Sequence, residues 1–305
     1  MCTPAEARLS WNVVHDVEQI LEYHFMLNAL LAGAVVAVMA GTVGWAMVLR
    51  RETFAGHALS MMAFPGASLA ALIGVPAAWG YFAFCGVGAL AIGRSAAGER
   101  RSWGAEATAI GVFQAAALAA GFLFVSLYGG VLGDLESLLF GDLLGISDGQ
   151  VVALALVALV ACLTLVTLAR PLLFASVDPD VASARGVPVR RLSIVFLAVL
   201  GLAVAATSQI TGPLLVFALL VMPAASAQRI TSRPLLSLLL TISLGLTVTW
   251  LGLAISYFSV YPAGFFIATI SFVVYVLARL ILAVSAHGAS GSLAVAEPAP
   301  RGVIA

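Results

Sequence analysis

Long apolar runs separated by short polar breaks fill nearly the whole chain. Nine of them read as helical spans, at about 26–49, 56–74, 78–93, 106–128, 151–174, 192–209, 212–228, 235–257 and 264–284. An α-helix rises about 1.5 Å per residue, so roughly 20 apolar residues match a hydrocarbon core of about 30 Å. The third and seventh runs are short, and the pair meeting at "SQITGPLLVF" also reads as one re-entrant feature, which leaves eight or nine spans. Run length favours helices over a barrel. The pattern therefore predicts an all-α integral membrane protein, with one polytopic helical bundle over 26–284. It is flanked by a tail at 1–25 and a Gly- and Pro-containing tail at 285–305 that is expected to be disordered.

Composition agrees: 62% of the 305 residues are hydrophobic and 9% charged, against roughly 25% charged in soluble domains. The arginines among the charges that remain are strongly one-sided. Arg50, Arg51, Arg94, Arg100, Arg101, Arg170, Arg185, Arg190, Arg191, Arg229, Arg233, Arg279 and Arg301 fall on one side of a nine-span layout. Glu6, Asp16, Glu18, Glu22, Asp134, Glu136, Asp142 and Asp148 fall on the other, with Arg8. Arginine near span ends stays in the cytoplasm, which puts the amino terminus outside, the carboxyl terminus inside and the protein in the cell membrane. No cleavable signal peptide is visible, so the first span is expected to act as the anchor. The lipid bilayer is the expected surrounding, and nucleic acid is not an expected partner.

Several chemistries are disfavoured. The chain contains no lysine, and a phosphate-binding P-loop needs one, so a standard ATPase site is excluded. Carboxylates lie in tails, loops or at span edges such as Glu106, which argues against a proton-driven carrier, since those place Asp or Glu within the membrane. Cys85 and Cys162 sit in apolar runs and read as packing residues. An intramembrane enzyme has little support, because no paired carboxylates or clustered histidines occur at ligand spacing, and no bound cofactor is expected.

Against this background "FAGHALSMMAFPGASLA" is unusual: it places His57 and Met61 one helical turn apart inside an apolar span. Burying an imidazole in a bundle without purpose is costly, which makes His57 a candidate contact for a transported species and Met61 a second, weaker one. Pro65 and Gly66 follow at a place where the span can kink. Asn28, Ser60, Gln114 and Gln209 read mainly as interhelical hydrogen-bonding residues, and His24 as a solvated edge residue. In the loop "FASVDPDVASARGVPVRR", Asp178 can cap a helix, Pro179 suits its first turn and Gly186 can end it. A short extramembrane helix is expected there, either a plain connector or a docking element.

Four stretches resemble the integral-membrane permeases of ABC-type importers for zinc, manganese or iron(II). They are "RRETFAGHALSMMAFPGASLA", "FGDLLGIS", "VDPDVASARGVPV" and "GPLLVFALLVMPAASAQRI", in the family's order along the chain. The resemblance implies a permease present as a pair, with a second copy or a paralogue. It also implies two cytoplasmic ATP-binding subunits and an extracellular metal-binding protein as partners, with the divalent metal as cargo. It places Asp178, Pro179, Asp180, Ala182 and Gly186 on the ATPase-coupling loop, His57 and Met61 in the metal pathway, and Pro65 and Gly66 at a gating kink. The chain departs from the family where it matters most: the family's Asp and His, four residues apart, are here His57 and Met61. Imidazole plus thioether is softer than carboxylate plus imidazole, which disfavours manganese relative to zinc, iron or copper. A self-contained secondary carrier or channel is the alternative, distinguished by whether an ATP-binding subunit copurifies.

The arginine asymmetry generates a direct expectation. A single cysteine at position 142 should react with an impermeant thiol reagent in intact cells, and cysteines at 100 or 190 only in inverted vesicles. The reverse labelling would overturn the layout.

Overall fold

A computed structural model describes residues 18–20, 22–96, 103–128, 141, 145–259 and 261–293. The tail before residue 18, the arginine-bearing turn at 97–102 and the acidic loop around Asp142 lie outside the described residues. Among the described residues the following helices run in order: α1 (His24–Leu49), α2 (Thr53–Leu72), α3 (Ala77–Ala96), α4 (Trp103–Tyr128), α5 (Asp148–Val177), α6 (Pro179–Ala184), α7 (Val189–Thr211), α8 (Pro213–Ile230), α9 (Pro234–Tyr257) and α10 (Ala263–Leu293). Eight of them are long and apolar enough to cross a membrane. The other two are six-residue α6 and α3, which corresponds to the short third run; its apolarity is diluted by Arg94 and four glycines, yet it packs along α2 and α7 as part of the bundle.

The "SQITGPLLVF" ambiguity resolves into two helices. Gly212 between them has φ of 74°, a conformation that side-chain-bearing residues adopt only under strain, and Pro213 then opens α8 with its φ already suited to a first turn. At the other extreme, α10 runs on past residue 284 to Leu293. Alanine and leucine in "SAHGASGSL" extend a helix that is already nucleated, which offsets the cost of its two glycines.

Central and peripheral helices separate by burial. In α2 and α7, 72% of the apolar window is buried, against 11% in α4 and 17% in α10. Helix α1 touches α5, α7, α8 and α9, while α7, packed on α2 and α3, and α8, packed on α2, join a group made of α2, α3 and α4 to one made of α8, α9 and α10. Contact is close where side chains vanish. A Cβ on Gly44 would collide with the Leu220 carbonyl, and one on Gly66 or Gly80 would collide with the other's carbonyl. Polar groups cross between helices: Trp45 Nε1 donates to Ser237 Oγ at 3.2 Å and Gln228 Nε2 to the Trp45 carbonyl at 2.8 Å.

The two ends of the bundle differ chemically. One gathers Arg50, Arg51, Pro179 and Ser193 around a polar cavity. At the other, Asn28 donates to the Ile146 carbonyl and to Asp148, and Gly141 lies against Ile210 and Gly212.

Gly44→Val should destabilise the fold by ~1–3 kcal/mol, the usual cost of overpacking. Gly86→Ala, whose added Cβ meets nothing within 4 Å, should not. Thermal melting of the detergent-solubilised protein checks this; equal midpoints for the two variants would contradict the close-packing account.

Candidate functional site

Helix α2 buries one side, including Ala55, Gly56, Leu59, Met62 and Ala63, against its neighbours. Phe54, His57 and Met61, spaced three and four residues apart, share the opposite side. Phe54 is 43% exposed, and His57 and Met61 are half-buried. Helix α8 presents a matching strip, with Leu214 exposed and Phe217 and Val221 half-buried. The strips meet where the Phe217 ring stands edge-on to the His57 imidazole, centroids 4.7 Å apart and planes at 66°. The fold thus brings His57 and Met61 together on an outward-facing seam rather than inside the single chain.

His57 is held from one side only. Its Nδ1 is shielded from solvent and has no hydrogen-bond partner among the described residues. A neutral imidazole carries one acceptor and one donor nitrogen, and a buried polar atom without a partner is costly in an apolar setting. Ser60 does not satisfy it, because its hydroxyl donates to the His57 carbonyl at 2.7 Å. Ser60 therefore serves its own helix and not an interhelical bond. Among the described residues no three His, Cys, Asp or Glu side chains converge as a metal-binding group.

Helix α2 continues through Pro65, although Pro65 has no N–H to offer the Met61 carbonyl. Ser68 Oγ lies 3.0 Å from the Phe64 carbonyl and 3.2 Å from that of Pro65. Gly66 lies where the α2 and α3 backbones touch, so a packing need accounts for it. Asn28 forms the interhelical bonds noted above, and His24 is an exposed edge residue 3.8 Å from Asp148.

The capped loop helix is present as α6. Asp178 accepts from the Asp180 and Val181 N–H groups at 3.1 and 3.0 Å, Pro179 occupies the first turn, and Gly186 at φ of 83° follows the last. Its orientation changes one assignment. Ala182 is fully buried and seats α6 on the bundle, so the outward face consists of Asp180, Val181, Ser183 and Ala184. The rotation of a six-residue helix has no signal in so few side chains. Phe217 was likewise invisible in the sequence, where it is one aromatic in an apolar run.

Similarity to known proteins covers the same span as the bundle. The chain is 31% identical over 249 residues, 82% of its length and 83% of the relative's, to the manganese transport system membrane protein MntC of Halalkalibacterium halodurans. It is 29% identical over 250 residues to the manganese import system permease protein ScaB of Streptococcus parasanguinis, covering 80% of this chain and 86% of that one. Among solved structures, PsaBC from Streptococcus pneumoniae in complex with Fab superposes with a TM-score of 0.76 at 27% identity, over 87% of this chain and 95% of that one. An inward-facing metal-chelate type ABC transporter shares the fold at a TM-score of 0.70 and 17% identity, over 91% of this chain and 93% of that one. The ABC 3 transport family model matches residues 22–282, and the chain, a multi-pass helical membrane protein, belongs to that family.

Proposed function

We propose that this chain is the permease subunit of an ATP-driven importer of divalent transition-metal ions, zinc, manganese or iron, or of their complexes. It sits in the cell membrane with its amino terminus outside. It works with a second permease copy or a paralogue, a pair of cytoplasmic ATP-binding subunits and an extracellular metal-binding protein. The observation that carries the cargo reading is the outward seam of Phe54, His57 and Met61, with a shielded imidazole nitrogen that nothing among the described residues satisfies. A second copy facing that seam would close a pathway lined by an imidazole and a thioether from each side. Four such neutral donors suit a borderline or soft divalent ion in transit. The exposed face of α6 receives the ATP-binding subunit, and Pro65, which removes one rung of the α2 hydrogen-bond ladder, lets α2 bend with Gly66 during access changes.

Substitutions of similar bulk test the ligand role. His57→Gln keeps hydrogen-bonding capacity but discards a good metal ligand. It should lower uptake by at least the about tenfold that loss of even an outer-shell partner costs a metal site. Met61→Leu should have a weaker effect, and His57→Asp with Met61→His should shift preference toward manganese. Wild-type uptake of manganese, zinc and iron by His57→Gln at equal membrane abundance would overturn the assignment.

Docking is tested on the two faces of α6. Val181→Arg, at a residue 44% exposed, should abolish copurification of the ATP-binding subunit without changing the permease's melting midpoint. Ala182→Arg should lower that midpoint, because the new side chain has to displace the helix from its seat. Full copurification and uptake in Val181→Arg would reduce α6 to a connector.

A further inference from the structure

Arg50 stands between the coupling segment and the helix that carries His57. Its side chain is only 7% exposed, although it closes an apolar span and would ordinarily reach water. Nε and Nη2 both donate to Glu52 Oε1, at 3.0 and 2.7 Å. Nη2 also donates to Ser193 Oγ at 2.7 Å, and the guanidinium carbon lies 5.0 Å from the ring centre of Phe196. One end of this set belongs to α2, since Glu52 is its N-cap residue and accepts from the Gly56 N–H through its carbonyl. The other end belongs to the first two turns of α7, where Phe196 is fully buried.

Helix α6 leads directly into α7 through Gly186 and Val187, whose N–H donates to the Ala182 carbonyl at 3.0 Å. Across from it, a cavity of about 380 Å³ lined by Arg50, Arg51, Ser176, Pro179 and Ser193 separates α6 from the α1–α2 elbow. A push on α6 therefore reaches the elbow by way of α7. Arg51, at φ of 60°, holds the elbow in a conformation that only a fixed surrounding maintains. Five residues beyond Glu52, about 7.5 Å along the helix axis, lies His57.

We propose that Arg50 is the positioning residue that ties α7 to the first turn of α2, so that movement of the coupling segment is delivered to His57 and Met61. A guanidinium can satisfy a carboxylate, a hydroxyl and an aromatic face together, because its donors are fixed in one plane; a lysine ammonium offers charge without that fork. The tie couples α6 to the metal-site helix in both directions, from ATP hydrolysis to the pathway and from cargo delivery back to the ATP-binding subunits. It rests on the coupling and pathway roles proposed above.

The test uses the complete complex reconstituted with its ATP-binding subunits and metal-binding protein, comparing Arg50→Lys and Ser193→Ala with the unaltered chain. Both variants should copurify the ATP-binding subunit and hydrolyse ATP at the basal rate. Stimulation of hydrolysis by the metal-loaded binding protein, and uptake per hydrolysed ATP, should each fall about tenfold in Arg50→Lys and less in Ser193→Ala, as expected for losing charge-assisted hydrogen bonds. A structural role alone would lower abundance and basal hydrolysis together, leaving uptake per ATP unchanged, and that result would overturn the proposal. So would wild-type stimulation and uptake in both variants. Failure of the cargo reading looks different: the unaltered complex would take up none of the three metals, and stimulation of hydrolysis by the metal-free binding protein, kept in the unaltered chain and lost in Arg50→Lys, would then decide the relay alone.

Discussion

Hydrocarbon cannot hydrogen-bond, and it solvates leucine as well as another helix does, so a chain of this composition holds together through close backbone approach and internally satisfied polar groups. Gly44 against the Leu220 carbonyl and Gly66 against Gly80 bring α1 to α8 and α2 to α3 at backbone distance. Those contacts set the placement of the central helices. Once α2 is pressed onto α3 through its small face, its remaining side, with Phe54, His57 and Met61, has nowhere to point but outward. The candidate seam is thus a consequence of where the glycines are.

Much of this was legible in the chain because the signals are local. Apolar run length located the spans, and the Asp178, Pro179 and Gly186 sequence specified both ends of α6 through a side-chain cap, a fixed φ and a left-handed stop. What could not be read depended on rotation or on distant partners. Ala182 and Val181 are neighbours of similar apolarity, yet one is buried and the other exposed, and only the surface beneath α6 decides which. Ser60 could bond across helices or back to its own, and this buried hydroxyl takes the nearest carbonyl. Arg50 read as a topology marker, because its partners Ser193 and Phe196 lie more than 140 residues away.

Polar side chains divide into those that hold the bundle and those that it leaves unsatisfied. Asn28, Trp45, Gln228 and Arg50 each have partners on other helices. His57 has an aromatic edge and a nitrogen with no partner. Buried hydroxyls of Thr207, Ser208 and Ser271 also lack a partner among the described residues, so what sets His57 apart is the combination of an unsatisfied imidazole nitrogen with a thioether one helical turn away.

The donor set carries its own energetic logic. A carboxylate in the pathway would offset part of a cation's charge but would cost ~2.5–3.5 kcal/mol to hold at mid-membrane. Imidazole and thioether avoid that cost and supply no charge, so in the proposed pathway an ion would be held by neutral lone pairs, whose softness sets the preference. An oxygen-preferring ion loses most under those terms and a borderline one least. The manganese in the names of the relatives therefore does not transfer automatically to a chain with His57 and Met61 at these positions. A neutral pathway of the kind proposed would also bind its cargo shallowly, which would favour release once the ion is past the seam. In the proposed importer the direction of transport would then come from timing imposed by the coupling segment rather than from a deep well in the membrane.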